Sequence, residues 1–339
     1  MSEAESIFAT SAGKAVTATV HVEVLLGADD LDDALRRDVR RGLTSSPKEI
    51  PPKYLYDDEG SRLFDEITRL PEYYPTRRER EILDREALAI ADLSKADTLV
   101  ELGSGTSEKT RLLLDALRDR CTLRRFVPFD VSEATLVRAG EAVAREYPGV
   151  AVHAVVGDFE RHLTELPTGG RRMIAFLGGT IGNLHTEARA SFFSTIASGL
   201  RPEDSFLLGT DLVKDVARLE AAYDDAAGMT AAFNKNVLAV INRRLGGHFD
   251  LDAFDHLARF DVEHEWIEML LRSRRAQRVA IDDLGLDVGF DDGEVLRTEI
   301  SAKFRRDGIS SELAGAGLEI CGWWTDSAGD FALSLSRLA

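Results

Sequence analysis

The stretch VELGSGTSEKTRLLLDAL, Val100 to Leu117, joins an apolar run to an amphipathic helix pattern through two glycines. Glycines at the end of a strand let the backbone come close to a ligand, and the N-terminus of the following helix favours negatively charged ligand groups. A dinucleotide fingerprint would continue as G-x-G-x-x-G/A, with a small residue for close packing beside a pyrophosphate. This chain has Glu108 there. A carboxylate is repelled by a pyrophosphate, so nicotinamide and flavin cofactors are disfavoured, and no G-x-x-x-x-G-K-[ST] loop is present.

Working outward, TLVELG, RRFVPFD, VAVHAVVGD, RMIAFLGG and SFLLGTD are β-like runs between Thr98 and Asp211, separated by amphipathic segments or short connections. That alternation predicts a parallel, doubly wound α/β sheet. The second run ends on Asp130, whose carboxylate can accept both hydroxyls of a ribose. At the end of the third, Asp158 can accept from an adenine amino group, and Phe159 offers the ring an apolar face. S-adenosylmethionine is a phosphate-free cofactor that fits Gly103, Asp130, Asp158 and Phe159 together. The competing reading makes Asp130 and Asp158 ordinary helix-start or turn residues.

Upstream, YYPTRRERE places Thr76 and Glu79 at capping-box spacing after Pro75, which predicts a helix start and a domain boundary near Thr76. After Asp211 come two helix patterns, then strand-like alternation that includes LRTEISAKF, Leu296 to Phe304. These observations divide the chain into a loosely ordered lead-in (1–28), a second lobe in two parts (29–76 and 213–303), and a sheet domain (77–212 closed by 304–339). Within LRTEISAKF, Glu299, Ser301 and Lys303 share one face of a strand, while Thr298, Ile300, Ala302 and Phe304 share the other. Periodicity alone makes the polar face a solvent face.

Past the fourth strand, AFLGGTIGNLH lies where a parallel sheet keeps its ligand crevice, with Asn183 able to donate and accept or else to cap the next helix. Tyr54, Tyr56, Tyr73 and Tyr74 cluster ahead of the sheet domain and Tyr223 lies in the inserted part; each joins an apolar ring to a hydroxyl, and a core role is the usual one. The seven histidines show no ligand spacing and Cys121 and Cys321 lie far apart, so neither a metal nor a disulfide framework is expected. Asp and Glu outnumber Lys and Arg by 59 to 42, and the formal charge of −17 opposes nucleic acid and anionic membranes as partners. With no apolar run near the roughly 18 residues of a membrane span, and no basic-then-apolar leader, a cytoplasmic monomer acting on a small molecule is expected.

The motifs LPEYYPTR, VELGSGTSEKTR, PFDVS, GDFE, TIGNL, GTDLVKD, AYDDAAGMTAAFN and WWTDSAGDF resemble the L-histidine Nα-methyltransferases of ergothioneine biosynthesis, from about Asp32 to the C-terminus. The one departure is Gly178-Gly179-Thr180, where Gly-Ser-Thr is usual for the family. The resemblance implies a Rossmann-type class I methyltransferase sheet with a second α+β substrate-binding lobe. It also implies S-adenosyl-L-methionine as cofactor, and trimethylation of the α-amino group of L-histidine to hercynine. By motif, cofactor contacts fall on Gly103, Lys109, Asp130, Asp158 and Phe159, with Lys109 neutralising the methionine carboxylate. Substrate contacts fall on Tyr73, Asn183, Tyr223, Glu299 and Ser301, with Met269 lining the imidazole pocket and Tyr56 beside the reacting amine as the catalytic candidate. In this scheme Asn183 and Tyr223 hold the substrate carboxylate while Glu299 and Ser301 hold the imidazole. Two rival readings are a methyltransferase for another aromatic amino acid, such as a tryptophan derivative, and a non-catalytic sensor of S-adenosylmethionine.

Overall fold

The computed structural model describes residues 20–27 and 30–339. In chain order its elements begin β1 (Val20–Val24), α1 (Asp30–Thr44), β2 (Lys48–Glu49), α2 (Asp58–Ile67), α3 (Pro75–Ser94), β3 (Thr98–Leu102) and α4 (Thr110–Asp119). Next come β4 (Arg125–Asp130), α5 (Glu133–Glu146), β5 (Ala151–Val156), β6 (Arg172–Phe176), α6 (Thr186–Gly199), β7 (Ser205–Asp211), α7 (Val216–Tyr223) and α8 (Met229–Leu245). The chain finishes with β8 (Phe254–Asp261), β9 (Trp266–Ser273), β10 (Gln277–Ile281), β11 (Leu286–Phe290), β12 (Val295–Ala302), α9 (Arg306–Gly315), β13 (Leu318–Thr325) and β14 (Phe331–Leu338).

Eight strands form one sheet in the order β1-β5-β4-β3-β6-β7-β14-β13. From β1 to β7 the neighbours are parallel, and β14 and β13 close the far end antiparallel. The sheet grows in both directions from β3, which pairs with β4 on one side and β6 on the other. In a doubly wound sheet, that reversal opens a crevice beyond the carboxyl ends of the strands. Every residue of β3 is buried, so the Gly103 loop leaves the centre of the core.

Two sequence expectations are corrected. Val20–Val24, inside the segment expected as a loose lead-in, is a strand bonded to β5, with Val20 and Val22 packed among Leu136, Ala154 and Val156; residues 1–19 lie outside the described ones. The Thr76–Glu79 capping box does not form. The helix starts two residues earlier, with Pro75 in its first turn, where a missing N–H costs nothing, and Tyr74 instead of Thr76 at the cap position. Glu79 instead lies on the buried stripe Pro75, Glu79, Ile82, Leu83, Ala87 and Ile90.

A second sheet, β2-β12-β9-β8, with the β10–β11 hairpin beside it, packs with α1, α2, α7 and α8 around its own core. That core joins Leu35, Val39, Leu55 and Leu63 from upstream of the main sheet to Phe233, Val237, Met269 and Leu296 from the segment after β7. The chain leaves β7 and returns from β12 at adjacent points. Phe304 N donates to Asp211 O at 2.8 Å, and Val213 N donates to Phe304 O at 3.0 Å.

Candidate functional site

The crevice at β3 is built from backbone. Gly103 and Gly105 have φ of 66° and 49°, and a Cβ at either would meet nothing within 4 Å, so the glycines serve a left-handed loop with open space before it. Asp130 braces that loop. Its Oδ2 accepts from Gly105 N and its Oδ1 from Ser132 N, both at 3.0 Å, and each oxygen retains further acceptor capacity. At the next strand end Asp158 is buried, accepting from Glu160 N at 2.8 Å. The Phe159 ring is half-buried, edge-on to Phe176 with centroids 5.2 Å apart.

Two acids near Gly103, Glu101 and Glu79, are absent from the site expected from sequence, where Glu79 is read only as a capping residue. Glu101 lies in β3 with Oε1 accepting from Thr110, while Oε2 is buried without a partner, as is Ser104 Oγ. Burial pushes the Glu101 carboxyl up to about 7, against the opposing Thr110 hydrogen bond and the nearby Lys109 ammonium. Glu79 pairs with Lys109 through Oε2 and accepts from Gly178 N through Oε1 at 2.7 Å. Lys109 is therefore already paired with a buried carboxylate, unlike the free counter-charge expected from sequence. The signals were present in the sequence: an acid inside an apolar strand, and an acid on a helix's apolar stripe. Orphaned buried polar atoms beside an open glycine loop fit a polar, amino-acid-bearing cofactor better than an apolar one.

The second half of the site lies on β12. Glu299, Ser301 and Lys303 are buried at 7, 5 and 3% exposure, so the expected solvent face is an interior one. A bulge produces this arrangement. Arg297 pairs with Leu270 and Glu299 with Met269, leaving Thr298 as an extra residue on β12. Beyond the bulge Glu299 and Ser301 oppose Met269 and Ile267, on the face that carries the second core, while Arg297 turns to Glu49 and Glu268. The single proton of the Thr298 hydroxyl is shared between Asn234 Oδ1 and Met269 O, fixing the bulge. Asn234 continues to His256 Nδ1 at 2.9 Å, and His256 Nε2 meets Tyr223 O at 2.8 Å. Burial holds the His256 imidazole below its ordinary value, so the neutral ring bridges these two partners.

Glu299 has no hydrogen-bond partner among the described residues, and burial pushes its carboxyl up to about 7, with Lys303 opposing. Tyr56, Tyr73 and Tyr223 surround it; burial first, then charged and phenolic neighbours, hold the Tyr73 and Tyr223 phenols well above the usual range, and Tyr56, although 38% exposed, is raised in the same direction. A phenol in that state is a neutral hydrogen-bonding group, which argues against Tyr56 as a phenolate base. Tyr73 stacks edge-on against Tyr223, and Tyr56 against Phe64 and Phe233. Asn183 ends a short turn, Thr180–Asn183, laid against β12; a Cβ on Gly182 would stand 2.8 Å from Ala302 O. His185, not Asn183, occupies the cap position of α6.

Lys303 is the largest omission from the sequence reading. Its Nζ donates to Ser301 Oγ at 2.7 Å and to Tyr223 Oη at 3.0 Å, and pairs with Asp211 Oδ2 at 3.1 Å. Asp211 also accepts from Tyr74 Oη at 2.8 Å and Lys214 Nζ at 2.5 Å. Two ammonium groups thus share one carboxylate, giving this end of the pocket a positive balance opposite Glu299. Both hydroxyls accept from Lys303, and they lie 2.7 Å from each other. One of them donates to the other, so the pair has one proton left for a ligand.

A family model described as a SAM-dependent, histidine-specific methyltransferase matches residues 35–338. The chain is 59% identical over 318 residues to the histidine N-alpha-methyltransferase of Mycolicibacterium smegmatis, covering 94% of this chain and 99% of that one. It is 60% identical over 311 residues to the protein of the same name from Mycobacterium tuberculosis, covering 92% and 97% respectively. A third relative, ergothioneine biosynthesis protein 1 of Schizosaccharomyces pombe, is 33% identical over 254 residues, or 71% of this chain and 32% of that longer one.

Proposed function

Because the chain belongs to the SAM-dependent, histidine-specific methyltransferase family, we propose that the glycine-loop crevice and the Glu299 pocket are the two halves of one methyl-transfer site. The enzyme methylates the α-amino group of L-histidine in ergothioneine biosynthesis. When bound, S-adenosylmethionine supplies a methyl carbon activated by its sulfonium. Asp130 receives the ribose hydroxyls, while Asp158 and Phe159 receive the adenine. Lys109, Ser104 and Glu101 take the amino-acid end.

On the substrate side Glu299 accepts the imidazole N–H, and Ser301 gives the shared proton to the other ring nitrogen. Met269, opposite Glu299 in register, flanks the ring. With that proton spent, Tyr223 acts as the relay that orients Ser301. The substrate carboxylate then falls to the Asn183 amide and the Tyr73 hydroxyl, in the positive field of Lys303 and Lys214. This redistributes the sequence assignment, in which Tyr223 held the carboxylate. Tyr56 lies beside the amine as a neutral partner. An α-amino group has a reference pKa of about 7.7–8.0, so its neutral form is available near pH 7 without a strong base, and positioning carries much of the catalysis.

The observation that carries this assignment is the acceptor and donor, Glu299 and Ser301, on one buried face. A neutral imidazole has one N–H and one lone-pair nitrogen and satisfies both, whereas indole offers only a donor. We further propose successive addition of three methyl groups by a monomer, in a cytoplasm whose reducing character the two cysteines suit. Among the described residues no helix is long and apolar enough to cross a membrane. Mass spectrometry of the products from L-histidine and S-adenosylmethionine tests the function: trimethylated histidine is expected, and transfer to tryptophan in preference to histidine would refute the ring assignment.

A further inference from the structure

Away from the cleft, β1 and β5 bring together three ligand-type side chains that are distant in sequence. His21 and His153 are register partners on the two parallel strands, and Glu23 follows two residues after His21 on the same face. The imidazoles meet edge to face with centroids 4.5 Å apart, and Glu23 Oε2 lies 2.8 Å from His153 Nε2. One ligand atom from each of the three lies within 4.8 Å of the others. The opposite face of these strands is taken by core packing, through Val20, Val22, Ala154 and Val156 against Leu136. On the His-Glu-His face the core takes Val155 and Leu25, and it leaves the three polar side chains themselves unexplained.

We propose that His21, Glu23 and His153 form a binding site for a divalent transition ion of the zinc class, clasping β1 to the main sheet. Imidazole nitrogens with one carboxylate suit zinc, nickel or copper, and three protein ligands leave a position for water. Ligands of this kind sit about 2.0–2.2 Å from zinc, so the closest pair needs only to open and the widest to close, both within side-chain rotation. The ligands must be unprotonated to bind. Arg125 and Glu23 both lie close enough to His153 to act on its charge. Arg125 also repels the ion, and the Glu23 carboxylate offsets that charge.

Calorimetric titration of the chelator-treated full chain with zinc chloride tests the site. The wild type should show one saturable event of one ion per chain. Losing an outer-shell partner alone costs roughly tenfold or more in metal affinity, so His21→Ala and His153→Ala should each weaken binding by at least that factor, and the double variant should abolish the event. His21 is exposed, so its replacement should leave histidine methylation and the zinc-free melting temperature unchanged. Added zinc should raise the melting temperature of the wild type only. A wild type that binds no zinc overturns the proposal. So does a double variant with an undiminished event, which would move the ion to another site.

Discussion

Lys303 Nζ donates to Ser301 Oγ at 2.7 Å from two residues further along the same buried face. Ammonium groups are donors only, so this contact fixes the serine oxygen as an acceptor on the lysine side and leaves its proton for Tyr223 or for a ligand in the pocket. The lysine thereby gives the substrate-facing hydroxyl a polarity that serine alone lacks.

Replacing that donor should separate the two halves of the site. Lys303→Met is expected to raise the KM for histidine about 10- to 100-fold, since a hydrogen bond to a charged group contributes roughly 1.5–3 kcal/mol. Cofactor affinity should stay near the wild-type value. Steady-state kinetics beside a calorimetric titration of S-adenosylmethionine would measure both, and equal losses in the two would place Lys303 in the general fold instead.

The Glu299 carboxyl, raised to about 7 from an ordinary 4.5, makes a signed prediction for the ligand-free protein. Between those values the unfolded chain has released the proton and the folded chain keeps it, so this group's contribution to stability falls as pH rises. Glu299→Gln removes the effect. The stability of the variant relative to wild type should therefore climb between about pH 4.5 and 7, by up to about 3 kcal/mol at roughly 1.4 kcal/mol per unit. Urea unfolding across that range reads the difference directly, and parallel curves would contradict a raised carboxyl. The same variant should bind histidine poorly near pH 8, where the wild-type carboxylate is ionised.

Asp130→Asn retains one acceptor oxygen for the loop and loses the charge. S-adenosylmethionine affinity should fall at least about tenfold, within the range for a lost charge-assisted hydrogen bond. Calorimetry that finds no change would remove Asp130 from the ribose role.

Gly182→Ala introduces a Cβ 2.8 Å from Ala302 O and 3.1 Å from Ala302 N. Backbone on β12 cannot rotate away as a side chain does, so the turn carrying Asn183 must lift from the strand. Overpacking of this kind costs roughly 1–3 kcal/mol. The expected result is a lower melting temperature with a histidine KM raised more than that of the cofactor. A fully active, fully stable variant would show that the turn has slack.

The crevice proposed for the cofactor was legible because its parts are short and local: two glycines at a strand end, then an acid at each of the next two strand ends. The substrate half depends on contacts that no single window of sequence contains. Glu299 and Ser301 reach the interior because Thr298 interrupts the pairing of β12, and strict alternation from Leu296 onward predicts the wrong partners on either side of that bulge. Asp211, Lys214, Lys303 and Tyr74 come from three separate segments and become a cluster only when the crossings meet. Glu79 was misread as a helix cap because its spacing from Thr76 fits one, although its place on the apolar stripe of α3 pointed inward. In β1, the Ala-, Ser- and Thr-rich surroundings masked five residues, Val20–Val24, that complete a sheet edge.

The paired crossings at Asp211–Val213 and Phe304 act as a ruler. Each stays hydrogen-bonded to the other, so the proposed imidazole anchor on β12 and the carboxyl end of β7 keep a constant separation. An amine that gains bulk with every transfer cannot be accommodated by stretching that span. Under the proposed threefold transfer, the room for the last methyl must come from rotation of the amine within its cage or from yielding of the partly exposed Tyr56 ring. Catalytic endurance through three rounds would then be governed by the softest wall of the pocket, while the choice of substrate is governed by its stiffest.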